Sequence, residues 1–107
     1  MIKNLLKKDR DKINNVICNA ATGIFHDCFW HGKDIVLGKL HHVCEENNLT
    51  WDIYDAKYEH ENGIPIRKIW TFKVANKNGR ASYGRIIAAG AGTVNDPLLR
   101  YDIVAYL

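Results

Sequence analysis

A chain of 107 residues, 47% hydrophobic and 25% charged, is long enough for one hydrophobic core and too short for two, so its size demands neither disulfides nor a structural metal. The formal net charge of +3 permits contact with nucleic acid but falls well short of the basic footprint of a dedicated nucleic-acid binder. The N-terminal run MIKNLLKKDRDK mixes apolar and charged residues, and the most apolar run, IIAAGAGTV at 86–94, is short and glycine-rich. The first lacks the continuous apolar segment of a secretion signal and the second cannot span a bilayer.

Cysteines at 18, 28 and 44 form no disulfide framework, which points to reduced thiols and a single cytoplasmic domain over residues 1–107.

The first third predicts helix. Ile13, Val16, Ile17, Ala20, Ile24 and Cys28 recur at spacings of three and four, one apolar face, with Ile2, Leu5 and Leu6 extending it backwards. Thr22-Gly23 is placed to kink or split that helix, since glycine costs about 1 kcal/mol relative to alanine there. His31-Gly32-Lys33 reads as a turn and Asp34 as the N-cap of a second helix, with Val36, Leu37, Leu40, Val43 and Cys44 inward and Asn47-Asn48 at its end.

Strands follow. Residues 51–60 alternate, and Asn62-Gly63 is a strong hairpin signal. Pairing about that turn sets Ile53 opposite Phe72 and Trp51 opposite Val74. A second turn centred on Lys77-Asn78 sets Phe72 opposite Tyr83 and Val74 opposite Ala81. Trp51, Ile53, Trp70, Phe72, Val74, Ala81, Tyr83 and Ile87 then share one face. A longer connection, GAGTVNDPLL, leads to a last strand, YDIVAYL. The fold expected is α+β, with two N-terminal helices packed on one face of a four-stranded antiparallel meander sheet.

Four chemical readings compete. Cys28, His31, His41 and Cys44 follow a C-x2-H-x9-H-x2-C spacing, a donor set suited to zinc. Both cysteines also continue apolar helical faces, where a small buried thiol belongs. The expectation is therefore core, with zinc the minority option and no cofactor. A nucleophilic Cys28 or Cys44 is disfavoured because an apolar setting raises a thiol's pKa. Asp52, Asp55, Glu59 and Glu61 gather near one strand, but Arg85 falls near Asp55 across Trp70, so an ion pair is expected before acid–base chemistry. The AAGAGT run at 88–93 resembles a phosphate loop only in composition, because no helix follows it.

Two binding readings remain. Arg67, Lys68, Lys73, Lys77 and Arg80 dot the second hairpin, and with strand aromatics they offer a nucleic-acid surface. Alternation also puts Tyr54, Tyr58, Ile69, Ile86, Val104 and Tyr106 on the sheet face away from the helices. A solvated face would be more polar, and contiguous exposed apolar surface marks partner sites. The sequence thus favours a non-enzymatic binding protein, of the accessory or inhibitor type carried by phages and mobile elements. It would meet another protein or a second copy of itself through that face, with nucleic-acid binding as the alternative.

Overall fold

Helices α1 (Lys7–Ala21) and α2 (Phe29–Glu46) precede an antiparallel meander of β2 (Thr50–Glu61), β3 (Ile64–Ala75), β4 (Ala81–Ala91) and β5 (Arg100–Tyr106); a two-residue strand, β1 (Phe25–His26), lies between the helices in sequence. The computed structural model describes residues 3–21, 25–26, 29–91 and 100–107. The sheet order is β1-β5-β4-β3-β2. The α+β layout expected from sequence holds, with a fifth, very short strand at one edge.

The apolar stripe of α1 is buried through Ile13, Ile17 and Ala21, and that of α2 through Val36, Leu40, Val43 and Cys44. Both stripes meet Phe72, Val74, Ile86, Ala88, Ile103 and Ala105 of the sheet in one core. Residues 3–6 join this helical side. Leu5 is buried, its amide donates to Ser82 Oγ (3.0 Å), and the Lys3 carbonyl accepts from the Ala81 amide (2.9 Å). The described N-terminal segment therefore does not cover the opposite face of the sheet.

Two boundaries differ from expectation. Helix α2 begins at Phe29 and runs through His31-Gly32-Lys33, so Asp34 is an interior helical residue. Its carboxylate pairs with Lys33 Nζ at 2.6 Å instead of capping. Phe25 and His26, read from sequence as helix, pair with Asp102 and Tyr101 of β5. Partner strands far along the chain override local periodicity in this segment. Thr22-Gly23, Ile24 and Cys28 lie outside the described residues.

The end of α2 follows the expected Asn-Asn signal. Asn48 adopts a left-handed φ of 56°, the Leu49 amide donates to the Cys44 carbonyl (2.8 Å) and the Asn48 amide to the Glu45 carbonyl (3.4 Å). This pair of bonds is a Schellman cap.

The edge of β5 is closed by α1. The Leu107 amide donates to Asn14 Oδ1 (2.7 Å), Asn14 Nδ2 donates to the Leu107 carbonyl (3.4 Å), and Cys18 Sγ donates to the Ala105 carbonyl (3.0 Å). A side-chain amide here supplies the bonds that another strand would otherwise supply.

Register decides which side chains face out. Asn62 (φ 52°) and Gly63 (φ 78°) form the tight β2–β3 turn, with the two positive φ values of type I′. Ile53 pairs with Phe72 and Trp51 with Val74, as expected. Between them and the turn the pairing shifts twice, between Glu59 and His60 and between Ile53 and Asp55. The two irregularities cancel at Ile53, but they invert the faces of residues 55–59.

The β3–β4 turn departs from expectation by one residue. Phe72 pairs with Gly84 and Val74 with Ser82, so Tyr83 lies opposite Lys73. The loop is one residue longer than assumed and ends on Gly79 with φ 83°. Asn76 Oδ1 accepts from the amides of Asn78 and Arg80, both at 2.9 Å. A three-residue turn closed by a left-handed glycine moves the register by one, and every side chain on β4 changes face. Gly84 then sits under Phe72, where a Cβ would come within 3 Å of the Phe72 ring, the Tyr106 carbonyl and Leu107 Cα.

Candidate functional site

The sheet face away from the helices is built in rows. Val104 of β5, Ile87 of β4, Ile69 of β3 and Lys57 of β2 lie side by side. The next row is Tyr106, Arg85, Thr71 and Asp55, and beyond it Tyr83, Lys73 and Asp52 follow. Tyr54, the extra residue at the β2 irregularity, fills the space between the last two rows on β2. Tyr54 is 70% exposed, Val104 55%, Tyr83 47% and Tyr106 41%. These four carry the exposed apolar area of the face. The rings of Tyr54 and Tyr83 meet edge to face, centroids 5.3 Å apart.

Two of the six residues expected on this face lie on the other side of the sheet, and a third is buried. Ile86 points to the helices and is fully buried in the core, because the longer turn moved β4 by one residue. Tyr58 pairs with Lys68 inside the inverted stretch of β2, and both lie on the helical side. There Lys68 Nζ sits 3.9 Å above the Tyr58 ring and 5.8 Å from that of Trp70, and Lys33 Nζ of α2 lies 5.9 Å from Trp70 on its own account. Ile69 is on the expected face but only 5% exposed, so it is the floor of the face and not its contact surface. Tyr83, Arg85 and Ile87 are the residues that sequence reasoning missed or misplaced. The signal that would have found them is Gly79, which favours a three-residue turn with a left-handed last position.

The basic residues of the second hairpin do not converge. Arg67 is on the open face and bonds Glu59 Oε2 at 2.8 Å. Lys68 is buried on the other side. Lys73 lies between Asp52 and Tyr83, Lys77 is exposed in the turn, and the Arg80 guanidinium donates to the Asn4 carbonyl at 3.1 Å. Acidic side chains of β2 lie within this surface.

The zinc spacing loses two of its four members to other tasks. Cys44 is 1% exposed within the core, and burial pushes its thiol up to about 11. A metal ligand or nucleophile has to be thiolate, so this setting opposes both roles. The Trp51 indole N–H donates to His41 Nδ1 at 3.1 Å, and His41 Nε2 lies 3.2 Å from Glu45 Oε1. A neutral ring accepting at Nδ1 carries its proton on Nε2, which leaves no free lone pair for a metal. Cys28 and the side chain of His31 lie outside the described residues. Among the described residues no group of three or more His, Cys, Asp or Glu is placed to hold a metal ion.

Of the strand carboxylates, Glu59 is held by Arg67. Asp55 and Arg85 flank Thr71 on the open face, not Trp70 on the helical side, and the described residues include no ion pair between them. No helix among the described residues is long and apolar enough to cross a membrane. Comparison of the chain with protein-family models, curated proteins and solved structures gives no match.

Proposed function

We propose that this chain is a non-enzymatic binding protein, an accessory factor or inhibitor, that meets another protein through the open face of its sheet. The observation that carries this reading is the exposure of Tyr54, Tyr83, Val104 and Tyr106 on one face whose floor, Ile69, is buried. Tyrosine suits a docking surface because its ring supplies apolar contact while its hydroxyl remains able to bond. The charges around the aromatics have both signs, with Asp52, Asp55 and Glu59 on β2 and Lys73 and Arg85 on β3 and β4. Mixed charge suits a protein partner better than a phosphate backbone, which calls for a single sign.

A photo-crosslinking residue in place of Ile87, carried by the protein in its native cells, tests the reading. The expected result is a covalent adduct to a polypeptide that is lost when Tyr83→Glu is added and that persists in high salt. No adduct, or an adduct to nucleic acid that disappears as salt rises, overturns it.

A further inference from the structure

We infer that the polypeptide this face meets is a second copy of the same chain, packed sheet to sheet about a two-fold axis running along β3. This rests on the reading of the face as a protein-docking surface. Charge complementarity points to this partner. An isologous interface requires the surface to complement itself, and one row of this face does so. Asp55 lies on β2 and Arg85 on β4, with Thr71 of β3 between them, while β2 also carries Lys57 and a Glu59 already paired with Arg67.

Rotation about an axis along β3 places β2 of one copy over β4 of the other. Within their row, Asp55 and Arg85 stand one strand to either side of Thr71, so the rotation sets Asp55 against the second copy's Arg85, and does so twice. Both residues are exposed, and neither has an ion-pair partner among the described residues. Sheets stacked about 10 Å apart leave a gap that an aspartate and an arginine can close between them. The same operation brings Tyr54 toward Tyr83 of the other copy and Ile69 over its own counterpart. Lys73 also meets its counterpart, and Asp52 beside it on β2 offsets that repulsion.

Strand spacing and rise give this face roughly 400 Å² in plan, about half of the ~800 Å² per partner in a standard stable interface. The association is therefore reversible and concentration-dependent.

Sedimentation velocity over a wide concentration range tests this with the wild type, Asp55→Arg, Arg85→Asp and an equal mixture of the two variants. The wild type is expected to dimerise as concentration rises. Each variant alone sets like charges against each other twice and is expected to associate at least ten-fold more weakly. In the mixture every such contact is again Arg against Asp, so dimers are expected to return, something an effect within one chain would not produce. A wild type that stays monomeric overturns the inference, as does a mixture no more associated than its components. If the crosslink at Ile87 joins a different polypeptide, this inference alone fails. If it joins none, the docking reading fails with it.

Discussion

Tyr54 and Tyr83 belong to strands that do not touch, yet their rings meet at 5.3 Å and 76° above β3. Two backbone events create the contact. The irregularity between Ile53 and Asp55 keeps Tyr54 on the open face, and the three-residue turn ending at Gly79 turns Tyr83 onto it. An edge-to-face pair contributes about 0.5–1.5 kcal/mol beyond area burial. A double-mutant cycle of Tyr54→Ala and Tyr83→Ala, followed by urea unfolding, is expected to give a coupling in that range. Zero coupling would mean that one of the two backbone events is misplaced.

The β4 register predicts unequal costs for two adjacent isoleucines. Ile86 is fully buried, whereas Ile87 is half-buried on the open face. Ile86→Ala is expected to cost about 2–5 kcal/mol of unfolding free energy, and Ile87→Ala no more than about half as much. Equal or reversed costs in denaturant titrations would restore the two-residue turn.

Gly84 has no space for a side chain beneath Phe72 and beside the Tyr106–Leu107 backbone. Overpacking of this kind costs about 1–3 kcal/mol, so Gly84→Ala is expected to lower the melting temperature. Combining it with Phe72→Leu, which retracts the crowding ring, is expected to cost less than the sum of the two single changes. Simple additivity would show that the ring and Gly84 do not meet.

Cys44 gives stability a pH dependence of known sign. Its folded pKa is raised by burial from 9.0 to about 11. Between those values the unfolded chain binds fewer protons than the folded one, so stability falls as pH rises. The contribution is whole below pH 9 and reduced by about 2 kcal/mol at pH 11, since a tenfold change in proton affinity is worth about 1.4 kcal/mol. The measurement is the difference between wild type and Cys44→Ala, in which the titration of other groups cancels. That difference is expected to shrink steadily above pH 9, and a flat difference would place the thiol in water.

Much of the fold was legible because it is written locally. The apolar spacing of Ile13, Ile17, Leu40 and Cys44 selects helical faces, Asn48 ends α2, and Asn62-Gly63 closes the β2–β3 hairpin with two positive φ values. Each requires only neighbouring residues to satisfy a steric rule. The candidate face was half legible. Tyr54, Val104 and Tyr106 are where alternation puts them, and Ile69 shares the face as its buried floor. Ile86 and Tyr58 are not on it, because alternation keeps its phase only while no residue is inserted.

The sequence by itself determined the two helices, the four long strands, their order and the hairpin connection of β2 to β3. Tertiary structure decided phase. The irregularity at Tyr54, the extra turn residue at Gly79 and the docking of β1 on β5 are each settled by what packs across the sheet. A strand's side-chain period is two, so one inserted residue exchanges the core-facing and outward-facing sets. The choice between them depends on the fit of Phe72 over Gly84 and Ile86 under the helices, contacts that exist only once distant segments are in place.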